Sequence, residues 1–167
     1  MKRGRVKLLL LAALFVTPPL AGWIVYVMDW TPGATANYGT LVEPRPIAAE
    51  PLARLRGKWV LVQIDASSCA KPCEQKLYYM RQVRRAQGRQ MQRVERLWIL
   101  TDAGTPASAL APLTEGLQLA RGDASLIAAF PAERAPADHI YLVDPLGNLM
   151  LRFPRDPQPG KMVKDLE

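Results

Sequence analysis

From Leu8 to Met28 the chain carries no charged residue. A helix of that length, at about 1.5 Å per residue, covers roughly 30 Å, the hydrocarbon thickness of a bilayer. Lys2, Arg3, Arg5 and Lys7 stand before it without an acid among them, and Asp29 follows it. Flanking basic residues stay on the cytoplasmic side. The expected layout is therefore a basic cytoplasmic tail over 1–7, one transmembrane anchor over 8–28, and all later residues on the periplasmic side of the inner membrane. A cleaved signal peptide has a shorter apolar stretch and a small-residue cleavage site, and Thr31-Pro32-Gly33-Ala34 is a poor one. Pro18 and Pro19 predict a kink, which a bilayer helix accommodates when the freed carbonyls find partners.

The anchor also explains much of the charge. The formal net charge of +7 falls to +3 once the four basic residues before Leu8 are set aside. The basic balance thus gives no argument for nucleic acid, and no nucleic-acid-binding motif is present. Trp30 to Pro51 holds Pro32, Pro44, Pro46 and Pro51 with Gly33 and Gly39. Residues 29–51 read as a linker, with Asn37 to Val42 able to add an edge hairpin. The folded domain is expected over 52–167.

Within the domain, Trp59 to Ile64 is an apolar run interrupted only by Gln63, as in a strand buried on both faces. Leu77 and Met80 share one face of the helix that follows, and Gly88 is placed to end it. Leu97 to Leu100 is a second buried strand. Thr105-Pro106 predicts the start of a further helix, with Thr as cap and Pro in the first turn. Leu117 to Leu119 is a short strand, and Asp123 caps a helix through Ala129. Ile140 to Val143 is a third strand. Asp144-Pro145-Leu146-Gly147 has the residues of a type I turn, and Leu149 to Phe153 returns as a hairpin. Lys161 to Glu167 starts a last helix. A βαβ unit followed by ββα is the thioredoxin plan: an α/β fold with a central mixed sheet flanked by helices.

The only two cysteines, Cys69 and Cys73, fall in Cys69-Ala70-Lys71-Pro72-Cys73, between the first strand and its helix. Thiols four positions apart at a helix start face one point. The helix end and Lys71 favour the thiolate, which is both a nucleophile and a soft metal ligand. A purely structural bridge is the bland alternative, but one enclosing so short a loop adds little stability. Cys69, at the helix start, is expected to be the more exposed and more acidic thiol, with Cys73 as its partner. The single histidine, His139, precedes the third strand, near the position that thioredoxins fill with a cis-proline. Two thiolates and an imidazole suit Cu(I), and a weak fourth ligand would admit Cu(II). Zinc would need a further carboxylate. Asp138 is a candidate to hold the imidazole from behind.

Three stretches carry a family resemblance: Gly57-Lys58-Trp59-Val60-Leu61-Val62, Ser68 to Cys73, and Asp138-His139 ahead of Tyr141 to Gly147. Over roughly Leu52 to Phe153 the chain resembles the Sco family of cytochrome c oxidase assembly proteins. The resemblance implies copper ligation by Cys69, Cys73 and His139, and delivery to the copper-bearing subunit of the oxidase or to another periplasmic thiol or copper protein. It also implies a redox role for the thiols, as in members that reduce the cysteines of the oxidase copper centre. Ala70 and Glu74 stand where Sco proteins have prolines after the cysteines, and Pro72 matches redox thioredoxins instead.

Three functions follow from these residues. The first is a copper-binding assembly factor. The second is a thiol–disulfide oxidoreductase with Cys69 and Cys73 as its catalytic dithiol. The third is an interaction module that keeps the fold without the chemistry. The helix after the motif adds Arg81, Arg85, Arg89 and Arg93 at fourfold spacing, with Arg84 and Arg96 nearby. This is either a solvated face or a docking surface for acidic groups or anionic lipid headgroups.

Overall fold

The structure, a computed structural model, describes residues 2–28 and 37–166. Residues 29–36, the first part of the expected linker, lie outside it, as do the two terminal residues. The chain divides into two units, Met1–Ala36 and Asn37–Glu167.

The described part of the first unit is one helix, α1 (Lys2–Val27), with Pro18 and Pro19 inside it. Its span Arg3–Val27 has mean hydropathy 2.1 and is long and apolar enough to cross a membrane. Neither proline can donate to the carbonyl four residues back, so Leu14 and Phe15 lose that partner. One turn earlier, Thr17 Oγ1 donates to the Ala13 carbonyl at 2.6 Å. That back-bond gives the hydroxyl a partner within its own helix.

The second unit contains, in chain order, β1 (Thr40–Pro46), α2 (Glu50–Ala53), β2 (Trp59–Asp65), α3 (Lys71–Ala86), β3 (Val94–Leu100), α4 (Ala111–Thr114), β4 (Gln118–Arg121), α5 (Ala124–Ala128), β5 (Ile140–Val143), β6 (Asn148–Arg152) and α6 (Pro159–Lys164). The strands form one sheet in the order β1-β6-β5-β2-β3-β4. β2, β3 and β4 are parallel, while β5 and β6 join them through antiparallel pairs. This is a thioredoxin-like mixed sheet.

Central β2 shows why both faces are covered. Leu61 packs with Leu77, Met80 and Val83 of α3 and Met162 of α6. Val60 and Val62 point the other way, to the side holding Leu52, Leu126 and Phe130. The period-two alternation of a strand places neighbouring apolar residues on opposite sides, so a continuous apolar run is what a doubly covered strand requires.

The edge element allowed over Asn37 to Val42 is a strand that runs further: Thr40–Pro46 pairs antiparallel with β6. The Tyr38 and Gly39 amides donate to Asp165 at 2.9 and 2.8 Å. A proline-bearing stretch still makes a strand here because it lies at the sheet edge, where a missing donor faces outward. Thr105-Pro106 opens no helix. The Asp102 carboxylate takes the Gly104 amide at 3.2 Å, and helical structure waits for Ser108–Leu110 and α4.

Candidate functional site

β2 runs out at Asp65, and the chain turns over Ala66 to Ala70 before α3 begins at Lys71. The Cys69 amide closes this turn on the Ala66 carbonyl at 3.1 Å. Cys69 has φ 38°, and among the described residues it is the one non-glycine with positive φ. An L-residue pays for that conformation in backbone strain, which is held only when neighbours enforce it. Cys69 and Cys73 form a disulfide, with Cα atoms 5.1 Å apart. They are 3% and 1% exposed, so both are buried in this disulfide form. No side chain caps the start of α3. The positive end of the helix is therefore left for a thiolate.

The enforcing neighbour is Asp102, just past the end of β3. Its carboxylate accepts from the Ser67 amide at 3.1 Å, the Ser67 hydroxyl at 3.0 Å and the Gly104 amide at 3.2 Å. Parallel pairing of β2 with β3 brings their ends together, so the two loops meet. The approach is close: a Cβ on Gly104 would lie 2.0 Å from Ser67 Oγ. Below the turn, buried Gln63 donates through Nε2 to the Cys73 carbonyl at 3.3 Å, while its Oε1 has no partner. Sequence reasoning missed Asp102 and Ser67; the local signal was Asp102 two residues before Gly104, a side-chain-to-backbone turn.

His139 enters β5. In the antiparallel pairing of β5 with β2, Ile140 faces Gln63, and one step further puts His139 level with Ile64, at the cysteine end of the sheet. The ring is 7% exposed, and Nδ1 lies 2.8 Å from the Phe153 carbonyl oxygen. That oxygen can only accept, so Nδ1 carries the proton and the neutral ring keeps its lone pair on Nε2. The outer partner is thus Phe153, not Asp138. Asp138 instead pairs with Arg155 at 3.2 Å. Among the described residues no three His, Cys, Asp or Glu side chains gather where they could hold a metal ion. The structure joins Cys69 to Cys73 and leaves His139 outside such a group.

A second group at this end was also missed. Lys76, one helical turn beyond Cys73, is 4% exposed and donates to the Ala137 carbonyl at 2.6 Å. Burial pulls its pKa below the usual lysine value, against the carboxylates of Asp65 and Asp138. Burial likewise raises the Asp65 carboxyl, offset by the Ala66 amide and by Lys76. Both groups are biased toward their neutral forms.

Residues 59–167 match the family described as transmembrane-like, thioredoxin-like, C-terminal domain. The chain belongs to that family. Solved structures of Sco proteins share its fold. Bradyrhizobium japonicum ScoI with copper bound is 22% identical, with 77% of this chain and 96% of that one covered and a TM-score of 0.53. The apo Sco1 protein of Thermus thermophilus is 18% identical over 80% of this chain and 98% of that one, at 0.57. Yeast Sco1 with copper bound is 16% identical over 78% and 86%, at 0.54. No curated protein matches the chain.

Proposed function

We propose that Cys69 and Cys73 are the working centre of a membrane-anchored thiol-redox protein of the Sco type. The observation that carries this reading is the disulfide-bonded pair at an uncapped helix start, with Cys69 held in a strained conformation. In the reduced protein the Cys69 thiolate attacks one sulfur of a partner's disulfide. A mixed disulfide forms and one partner thiolate leaves. The Cys73 thiolate then attacks the Cys69 sulfur, which releases the second partner thiolate and closes Cys69–Cys73. The partner gains two electrons, and its thiolates take protons from solvent or from Lys76. Another protein's dithiol restores the reduced pair by the reverse exchange. Redox titration of the full chain in glutathione buffers, read by alkylation and mass, tests this. A pair that stays locked in one state across the accessible range defeats the reading.

The second reading is copper handling, with copper as cargo. The free Nε2 of His139 and the Sco neighbours favour it. Two thiolates suit Cu(I), and an imidazole adds most for Cu(II). The partner is then the copper-bearing subunit of cytochrome c oxidase. Reduced wild type should bind Cu(I), and Cys69→Ser should not. His139→Ala should weaken Cu(II) binding far more than Cu(I) binding. Identical Cu(II) spectra and affinities with and without the ring would remove His139 from the ligand set.

The domain layout follows from the same reading: tail 1–7, anchor 8–28, and the remainder in the periplasm. Phosphatase and green-fluorescent fusions after Glu167 report the side. Fluorescence without phosphatase activity would overturn it.

A further inference from the structure

The arginine stripe does not run on as a helical face. α3 stops at Ala86, and Gly88, at φ +53°, turns the chain into a short 3₁₀ segment. Arg89 and Arg93 leave with it. The arginines that do converge are Arg81, Arg84 and Arg85 of α3 with Arg96 of β3. They line a groove of about 280 Å³ together with Met91 and Glu115.

Arg96 is the unusual member. A guanidinium in the middle of a sheet is 2% exposed. Its Nη1 donates to the Leu113 carbonyl at 3.1 Å and its Nη2 to the Glu115 carbonyl. Its buried Nε has no partner. The carbonyls it meets are neutral, so the full charge is held without a carboxylate in contact. Arg84 spends its Nε on the Val94 carbonyl at 2.6 Å and lies 3.7 Å from Glu95. Arg81 reaches Glu115 only at 3.5 Å, and the Glu115 side chain is 77% exposed. Arg85 has no ionic partner among the described residues. Four guanidinium groups thus face two carboxylates, one of which is mostly in water.

We propose that this groove is a binding site for a phosphate-class oxyanion, either a free phosphate or the phosphate of an anionic lipid headgroup. The planar forks of arginine match tetrahedral oxyanions through paired N–H donors, and clustered guanidiniums are the usual way a protein recognises them. The surrounding charge agrees. Burial first, then Arg84 and Arg81, bring Arg96 down to about 10. It stays charged at neutral pH while its neighbours repel it, and a bound dianion relieves that repulsion. The site is separate from the cysteine turn and does not depend on the redox reading.

The test uses the full chain in neutral-lipid nanodiscs. Inorganic phosphate is titrated at constant ionic strength against chloride, with the ¹⁵N shifts of the arginine side chains as readout. A second arm replaces the neutral lipid with phosphatidylglycerol and omits phosphate. Saturable movement of the Arg96 Nε signal with phosphate identifies a site for free phosphate. Movement only in the anionic discs identifies the headgroup. The Arg81→Ala/Arg85→Ala variant keeps buried Arg96 and both its carbonyl partners, and it should lose about tenfold in affinity per guanidinium removed. Arg89→Ala/Arg93→Ala should leave the response intact. No movement in either arm, or an equal response in wild type and Arg81→Ala/Arg85→Ala, overturns the proposal.

Discussion

Two turns at opposite ends of the sheet make a useful pair. The Asp144 turn joins β5 to β6, and every local rule is obeyed there. Gly147 takes the positive φ of 90°. Asp144 Oδ1 accepts the Leu146 and Asn148 amides at 2.9 and 2.7 Å, and its Oδ2 accepts the Asn148 side chain at 2.9 Å. The cysteine turn reverses this economy. Its positive φ falls on Cys69, its helix start is uncapped, and its main clamp, Asp102, comes from another loop. The first turn stabilises itself. The second is held in place by the rest of the fold, as is common where a protein keeps reactive groups.

The strongest way to break this comparison is to remove each carboxylate. Asp144→Ala strips three hydrogen bonds from a nearly buried charged acceptor, and urea unfolding should show a loss of about 3 kcal/mol. Asp102→Ala acts on an exposed carboxylate that water can partly replace, so about 1–2 kcal/mol is expected. Its larger effect should be local: faster reduction of the disulfide and faster exchange of the Ser67 amide. If Asp102→Ala costs more global stability than Asp144→Ala, the contrast between a self-sufficient and a supported turn is wrong.

A smaller effect, with the same sign at the two turns, sharpens the point. Gly147→Ala places a Cβ in open contact, 3.6 Å from Arg56 Nε, so only the backbone resists it, and about 1 kcal/mol should be lost. At Cys69, in a Cys73→Ser background, glycine should likewise be more stable than alanine, by up to about 1 kcal/mol. Thermal or urea midpoints of the two matched pairs decide it. Alanine equal to glycine at position 69 would mean that the turn relaxes once the disulfide is gone.

The contrast also explains what could be read in the sequence. The thioredoxin-like plan was legible because β2, β3 and β5 are apolar runs and the Asp144 turn is written in four consecutive residues. The cysteine pair was legible because its spacing sits at a strand-to-helix junction. The clamp from Asp102 to Ser67 was not, since it joins residues 35 apart that only parallel strand pairing brings together. The same holds for the Phe153 carbonyl behind His139 and for the burial of Arg96 beneath α3. β1 is half-legible: Asn37 to Val42 suggests an edge element, but Pro44 and Pro46 signal loop, and only an edge position makes them compatible with a strand.

The smallest expected effect lies in pH. Asp65 and Lys76 titrate at the cysteine end, where the charge of Asp138 acts on both and that of Arg155 acts on Lys76. Asp65 is raised above its ordinary 3.8, chiefly by burial. Between 3.8 and its native value, the unfolded chain has released this proton while the native chain still holds it. Stability from this group is therefore full below 3.8 and declines as pH rises through the native value. Lys76 is lowered from 10.5, again chiefly by burial. Between its native value and 10.5 the unfolded chain holds more protons, so stability rises with pH across that window. Asp65→Asn should flatten the acid limb relative to wild type, and Lys76→Met the alkaline limb. Gly147→Ala should shift the whole curve without changing either slope. Urea midpoints measured across pH on the three variants give the answer. Slopes that match wild type in both charge variants would place the pH response away from the cysteine end.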